Sequence, residues 1–363
     1  MQRRRLDTFT IRQHALLRDA AACIDANRTG IAIVIDDEQR VVDTITDGDI
    51  RRAILAGHSL ELPLARLAER RQVGVYREPV TARATESDAR LLAQLQARGV
   101  RQLPLLDEEG RVVDLIVLDD LVVGGEPLQM SAVVMAGGFG RRLGTLTQDT
   151  PKPMLPVGDR PLLEHIVDQL RDAGIRRLSV TTHYLGEVIR DHFADGARFG
   201  LSISYTDERE PLGTAGALSL LDTVDEPVLV MNGDILTRID VRELFRFHRE
   251  QGADLTVAVR QYDMTVPFGV VEADGARVTA IREKPKQTFL VNAGVYLLEP
   301  SVVNGLARGA KTDMPDVIQS LLGAGRRVVS FPIVEYWLDV GRPDDYARAQ
   351  VDVEKLRPTP QVD

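Results

Sequence analysis

The chain has 363 residues, 44% of them hydrophobic, with a net charge of −9 and a pI near 5.3. Two domains with substantial cores fit that length, and the acidic balance argues against a nucleic-acid binder, which carries a basic footprint. A single cysteine, Cys23, excludes an intramolecular disulfide and suits a reducing compartment. The first residues, MQRRRLDTFTIRQH, are basic but lack the apolar core of a secretory signal. No apolar run approaches the ~20 residues of a membrane span, so a cytoplasmic protein without a membrane partner is expected.

The first feature in chain order is an internal repeat. Residues 32–50 and 103–121 align without a gap: Asp36 falls on Asp107, Arg40 on Arg111, Val41-Val42-Asp43 on Val112-Val113-Asp114, and Asp49 on Asp120. Each copy reads as a strand, a polar turn, a second strand and a helix start. Between the copies, Leu91, Leu92, Leu95 and Val100 mark a helix that Gly99 would cap. The repeat resembles a tandem pair of cystathionine-β-synthase (CBS) domains over roughly residues 8–124. That resemblance implies an adenine or other purine nucleotide bound by the strand–T-x-x-D–helix segment, here Thr46 and Asp49, with Arg51 and Arg52 just beyond. A carboxylate can accept from two ribose hydroxyls, and a hydroxyl at a helix start can face a phosphate. The alternative is that Asp49 caps the helix and the pair serves assembly. The second copy has Val117 in place of Thr46, so two equal sites are not expected. The pair is assigned residues 1–126, with Gly124, Gly125 and Pro127 marking a short linker.

The richest stretch is Ala132 to Gly158, AVVMAGGFGRRLGTLTQDTPKPMLPVG. A short apolar strand runs into Ala136, Gly137, Gly138 and Gly140, and bare backbone N–H groups at such a turn can meet an anion. Arg142 and Lys152, the latter between Pro151 and Pro153, can supply countercharge. A Walker A loop does not fit, and a dinucleotide fingerprint would need a glycine where Leu143 stands. G-G-x-G-x-R-L followed by P-K-P resembles the sugar-phosphate nucleotidylyltransferases.

Beyond the loop the pattern alternates. Apolar positions 162, 163, 166, 167 and 170 form a helical stripe closed by Gly174; Arg177–Thr182, Leu201–Tyr205 and Pro227–Met231 read as strands; Leu212–Gly216 is a turn into a helix from Ala217. This predicts an α/β fold with a mostly parallel, doubly wound sheet, preceded by the α+β CBS pair. In such sheets ligands sit beyond the carboxyl ends of strands, where both the glycine loop and Asp234 fall. The last third is β-rich, with a strand at Asp254–Arg260 and a hairpin about Asp274-Gly275. Arg282-Glu283-Lys284-Pro285, Val291-Asn292-Ala293-Gly294 and Tyr336-Trp337-Leu338-Asp339-Val340-Gly341 also look like signatures of this family, so the catalytic domain is expected over 130–355 with a flexible tail, 356–363. The fold implied is the nucleotide-diphospho-sugar transferase type.

The resemblance implies attack of a sugar 1-phosphate on the α-phosphorus of a nucleoside triphosphate, giving an NDP-sugar for cell-surface glycan precursors and releasing pyrophosphate. Catalysis there is positioning and charge neutralisation around Mg²⁺. By resemblance Asp234 and Asp339 hold the metal, Arg142 grips the departing phosphates, Lys152 neutralises the α-phosphate and Lys284 holds the sugar phosphate. Glu283, Gly269 and Asn292 line the sugar pocket, and Gly213 and Thr214 line the nucleotide. His183, His192 and His248 read as structural or surface residues, because an ionised phosphate needs no base. A catalytically silent, nucleotide-sensing regulator would shed such charges, and all five are present. Arg141 reads as a solvated or ribose-side neighbour, and a homo-oligomer is expected. In the family that the chain resembles, the segment after the strand ending at Tyr205 cups the nucleobase, and the matching position here is Glu208; an ionised carboxylate only accepts. Guanine offers two adjacent donors; uracil and thymine offer one N–H between carbonyls. GTP is therefore the expected donor, with UTP, dTTP and CTP as alternatives and mannose, glucosamine, glucose and heptose phosphates as candidate acceptors.

Overall fold

A computed structural model describes residues 5–69, 78–121 and 127–356. Its contacts divide the chain into two units, Met1–Glu126 and Pro127–Asp363. Residues 123–126 of the expected linker and the tail from Arg357 lie outside the described residues.

In the first unit, strands β1 (Thr10–Arg12), β2 (Ile31–Ile35) and β3 (Val41–Thr46) form a sheet, with helix α1 (Leu17–Asn27) after β1 and α2 (Asp47–Leu55) after β3. Helix α3 (Leu64–Glu69) follows. The second copy has β4 (Ala82–Arg83), α4 (Asp88–Arg98), β5 (Gln102–Leu106), β6 (Val112–Val117) and α5 (Leu118–Leu121). Its β4, β5 and β6 form a matching sheet. Register is conserved between the copies: Ile31 pairs with Thr46 and Gln102 with Val117, and each hairpin slips at the same point, Val34/Ile35 and Leu105/Leu106. The copies meet reciprocally at their turns. Val41 N–H donates to Gly110 O at 3.4 Å and Val112 N–H to Gln39 O at 3.3 Å, on either side of an Arg40–Arg111 bridge. Equivalent groups contact each other across a local two-fold relation. Ile31, Ile33 and Ile35 share one core with Val112, Leu115 and Val117, so each sheet buries its apolar face against its twin.

The second unit begins with β7 (Ser131–Met135) and a small hairpin of β8 (Pro156–Val157) and β9 (Arg160–Pro161). Next come α6 (Leu162–Asp172), β10 (Arg177–Thr182), α7 (Gly186–Phe193), β11 (Ser202–Asp207), the single turn α8 (Gly213–Gly216) and β12 (Val228–Asn232). Then follow β13 (Ile235–Thr237), α9 (Val241–Gln251), β14 (Leu255–Thr265), a hairpin of β15 (Val270–Asp274) and β16 (Arg277–Arg282), and β17 (Lys286–Leu298). Helices α10 (Pro300–Val303) and α11 (Met314–Gly323), strands β18 (Val328–Ile333) and β19 (Trp337–Asp339), and α12 (Pro343–Leu356) close the unit. The helix expected from Ala217 is one 3₁₀ turn, Ala217–Leu220, ended where Leu221 turns extended.

The main sheet has the order β11-β10-β7-β12-β17-β14-β18, and β17 alone runs antiparallel to its neighbours. Helices cover both faces. Val134 points into a core with Leu163, Ile166 and Leu244, whereas Val133 points into the opposite core with Leu218, Met314 and Val317. That is the period-two alternation of a strand buried on both sides. The stripe Leu162, Leu163, Ile166, Val167 and Leu170 is buried, and Gly174 ends the helix with φ +95°. The chain runs β7→β10→β11 to one side and then crosses to β12 on the other, so the switch point lies between β7 and β12. No helix among the described residues is long and apolar enough to cross a membrane.

His248 on α9 is fully buried. One ring nitrogen meets the Thr256 hydroxyl at 2.7 Å and the other meets Glu299 Oε1 at 3.1 Å. Burial holds its pKa below the ordinary 6.5, opposed by Glu299 and Asp254 and reinforced by Arg249. An unfolded chain therefore takes up a proton here before the folded one does, and the stability that this site contributes above pH 6.5 is lost as pH falls through and below that value. The thermal midpoint should fall between pH 7 and pH 5, and His248→Gln should flatten that slope in differential scanning fluorimetry.

Candidate active site

The carboxyl ends of β7 and β12 open onto a cleft of about 270 Å³ lined by Gly137, Gly138, Lys152, Glu208, Thr214 and Asp234, among others. Its floor follows from the sheet. Ala136 N–H donates to Thr181 O and Gly233 N–H to Met135 O, so the loops after β7 and β12 begin under ladder control.

The glycines have separate reasons. Gly140 takes φ +64°, and a Cβ there would come within 2.8 Å of Thr147 Cγ2 and 3.2 Å of Lys152 Cβ. A Cβ on Gly137 would sit 2.9 Å from Glu208 Oε1. Gly138 has nothing within 4 Å on that side and leaves its backbone open. Lys152, nearly buried, opens a 3₁₀ turn between its two prolines.

Lys152 Nζ lies 2.5 Å from Asp234 Oδ2 and 4.0 Å from Asp339 Oδ1. The two carboxylates are joined by backbone. Strands β13 and β19 pair antiparallel, Ile235 opposite Asp339, and Val340 N–H donates to Asp234 O at 2.9 Å. Trp337 Nε1 donates to Ala293 O, which ties this pair to β17. Desolvation and the Asp234 carboxylate push the Asp339 carboxyl above its ordinary range, against the pull of Lys152 and Arg142. Arg142 stands beside it: a Cβ on Gly341 would lie 3.2 Å from Asp339 Oδ1 and 3.4 Å from an Arg142 nitrogen. Arg141 turns away and stacks on Phe139, 4.9 Å from ring centroid to guanidinium carbon. Two carboxylates held against each other suit a hard divalent cation that also takes phosphate and water oxygens. Among the described residues no group of three or more His, Cys, Asp or Glu could hold a metal.

Glu208 is buried, not solvated. Its Oε2 accepts from Leu212 N–H at 2.9 Å, while Oε1 faces Gly137 at the cleft wall. Gly213 takes φ +83° against Thr312 and Asp313, and Asp313 Oδ1 accepts from Thr214 N–H at 2.9 Å. The Thr214 hydroxyl accepts from Met314 N–H at 2.8 Å, so both polar groups of Thr214 are engaged within the fold. This anchoring on a segment about a hundred residues away had no signal in the local sequence.

The sugar-side residues fall outside the cleft lining. Gly269 and Glu283 adjoin each other at the base of the β15–β16 hairpin, where a Cβ on Gly269 would sit 3.0 Å from Glu283 Oε2. Lys284 is exposed and takes φ +45° before Pro285, a conformation costly for a residue with a Cβ. Asn292 lies on β17, where it donates to the Tyr296 hydroxyl at 2.7 Å and accepts from Gly294 N–H at 3.0 Å. Sequence reasoning missed Asn232. It lines the cleft beside Asp234 and packs on Gly294, where a Cβ would come within 2.6 Å of its amide. Its place directly before the G-D pair was the available signal.

In the first unit Thr46 and Asp49 form a capping box. Thr46 Oγ1 donates to Asp49 Oδ2 at 2.7 Å, Asp49 N–H donates back to Thr46 Oγ1 at 3.3 Å, and Arg52 pairs with Asp49 at 2.8 Å. Val117, the equivalent of Thr46, has no oxygen with which to cap α5.

With this geometry in view, the chain was compared with known proteins. A family model described as Nucleotidyl transferase matches residues 131–356. The chain belongs to that family. The CBS domain model matches residues 3–56 and 72–123, a tandem pair. Mannose-1-phosphate guanylyltransferase of Mycobacterium tuberculosis is 35% identical over 242 residues, 64% of this chain and 67% of that protein. D-glycero-alpha-D-manno-heptose 1-phosphate guanylyltransferase of Aneurinibacillus thermoaerophilus is 33% identical over 62% of this chain and 99% of its own length. A solved structure from Bacillus anthracis, named as a candidate glucose-1-phosphate thymidylyltransferase and holding a sucrose, superimposes with a TM-score of 0.52 at 25% identity, over 64% of this chain and 98% of that one. The chain spans only 63–67% of the length of the mycobacterial and rice relatives it matches.

Gly140→Ala should cost about 1–2 kcal/mol for the left-handed backbone alone. It should also displace Lys152, lowering turnover beyond what the stability loss explains; thermal unfolding and steady-state kinetics on one preparation separate the two effects.

Proposed function

We propose that this nucleotidyl transferase moves a nucleotidyl group from a nucleoside triphosphate, GTP by preference, to a sugar 1-phosphate, forming a nucleotide-sugar and pyrophosphate. The convergence of the glycine loop, Lys152, Asp234 and Asp339 at the β7/β12 switch point carries the reading.

An oxygen of the sugar phosphate attacks the α-phosphorus, and pyrophosphate leaves on the opposite side. No side chain need act as nucleophile or base. The glycine-loop N–H groups meet the phosphates, Arg142 takes charge on the departing pyrophosphate, and Lys152 follows the charge that builds at the α-phosphate. Lys284 holds the acceptor phosphate, with Glu283, Gly269 and Asn292 on the sugar. Asp234 and Asp339 would hold Mg²⁺, which when bound supplies further charge neutralisation. Glu208 Oε2 is taken by the Leu212 N–H, which leaves Oε1, at the cleft wall beside Gly137, to accept from a base, and the preference for guanine rests on that oxygen together with the guanylyltransferase relatives. Both guanylyltransferase relatives act, by name, on manno-configured 1-phosphates, and an acceptor of that configuration is the reading for this chain.

Mg²⁺-dependent pyrophosphate release, measured for each nucleoside triphosphate against a panel of sugar 1-phosphates, tests the assignment. GTP with a manno-configured acceptor should give the highest kcat/KM, and faster use of UTP or dTTP would refute the base reading. Asp234→Ala or Asp339→Ala should remove several kcal/mol of transition-state stabilisation, roughly a thousandfold or more in kcat. Near-parental turnover in either would refute the metal assignment. Hydrogen bonds to a charged group contribute about 1.5–3 kcal/mol, so Glu208→Gln should lower kcat/KM for GTP by roughly ten- to a hundredfold.

The CBS pair is proposed to bind one purine nucleotide near Thr46 and Asp49, the asymmetry at Val117 favouring a single main site. Calorimetry of the full chain with adenine nucleotides should give one such site in addition to the catalytic one.

A further inference from the structure

We propose that His183 is a positioning residue that ties the glycine loop to the Glu208 segment, so that the phosphate-facing and base-facing walls of the cleft are held as one unit. This rests on the nucleotide-binding reading above.

The sheet order creates the opportunity. Strand β10 lies between β7 and β11. The residues leaving β10, His183 and Tyr184, therefore emerge between the glycine loop that leaves β7 and the Asp207-Glu208 step that ends β11.

On the β7 side the contacts are four. A Cβ built on Gly137 would lie 3.3 Å from the His183 Cβ, so the loop backbone passes directly over this residue. The Phe139 ring meets the His183 ring edge-on, with centroids 5.4 Å apart and planes at 86°, and meets Tyr184 at 5.6 Å. The Tyr184 hydroxyl donates to Gln148 O at 2.7 Å and holds the far end of the loop. Edge-to-face aromatic pairs have a preferred geometry and resist sliding. On the β11 side, His183 Nδ1 lies 2.7 Å from Glu208 O. A carbonyl only accepts, so Nδ1 carries the hydrogen. Glu208 N–H donates in turn to Thr182 O at 2.9 Å, so both backbone polar groups of Glu208 are fixed by consecutive residues of one segment. The carboxylate of Glu208 returns to Gly137 and closes the circuit.

The path from Phe139 through His183 to Glu208 therefore links the two walls by side chains, in addition to the strand ladders and the approach of the Glu208 carboxylate to Gly137. Cutting it at either contact should loosen the same assembly. A double-mutant cycle reads this coupling directly.

Nucleotide affinity at the cleft is read as the KM for the triphosphate in Mg²⁺-dependent pyrophosphate release by the full chain, which a nucleotide held by the CBS pair does not report, with whichever of the four nucleoside triphosphates the wild type turns over best, so the test does not depend on the base assignment. Phe139→Ala and His183→Ala should each weaken binding about tenfold, and the double variant should lose about the same tenfold, not the product. Affinity for the sugar 1-phosphate should stay within about twofold. If an alanine variant fails to fold, His183→Asn retains a donor for Glu208 O without the ring, and His183→Phe retains the ring without the donor; both should bind nucleotide more weakly than wild type. Unchanged nucleotide affinity in the His183 variants, or a double variant weaker by about a hundredfold, would overturn the proposal. A wild type that turns over no nucleoside triphosphate would instead overturn the function on which it rests.

Discussion

Two carboxylates are held side by side at the mouth of one cleft, and the rest of the catalytic unit is arranged to permit that. Burial and a neighbouring like charge both raise the cost of ionising a carboxyl, and Asp339 bears that cost in a pKa raised first by desolvation and then by Asp234. Backbone bonds enforce the approach: β13 pairs with β19, Val340 N–H reaches Asp234 O, and Trp337 ties the pair to β17. Lys152 then supplies the compensating charge, nearly buried and fixed by the flanking prolines. An ammonium between two carboxylates is also poised to meet a polyanion. A substrate that brings its own metal-bound phosphates replaces one set of charge contacts with another instead of entering a neutral cavity. Gly140 belongs to the same constraint, because a side chain there would clash with Thr147 and crowd Lys152.

What was legible in the sequence was what local pattern encodes. The gapless repeat reappears as matched registers with matched irregularities, because each hairpin is specified within twenty residues. The stripe on α6 and the strand Arg177–Thr182 fall where period and composition put them. The glycine loop and the Asp234 and Asp339 segments were legible because each needs particular residue types at short spacing. Contacts between distant segments were not. The engagement of Thr214 by Asp313 and Met314, the packing of Asn232 on Gly294, and the bond from His183 to Glu208 all follow from sheet order, which no short window contains. Thr46 and Asp49 illustrate the opposite difficulty. A T-x-x-D step at a helix start reads equally as a ligand grip and as a capping box, and the structure supplies the second geometry.

The single antiparallel strand explains where the sugar-side residues lie. Strand β14 is parallel to β12 and continues past the sheet's carboxyl edge to Thr265, and β17 begins there at Lys286 and runs back. Over residues 286–291 β17 pairs with β14 alone, so this ladder forms an arm that carries the β15–β16 hairpin, Gly269, Glu283 and Lys284 beyond the strand ends. Asn292 stands where the arm rejoins the sheet, next to the Ala293 carbonyl that accepts from Trp337. The groups proposed to meet the phosphates and the metal thus sit on short loops braced by the parallel core, whereas those proposed for the acceptor sit on a two-stranded projection. Under the roles proposed above, a change in the length or side chains of the projection would alter the acceptor side without moving Lys152, Asp234 or the glycine loop, because none of these is carried by the arm.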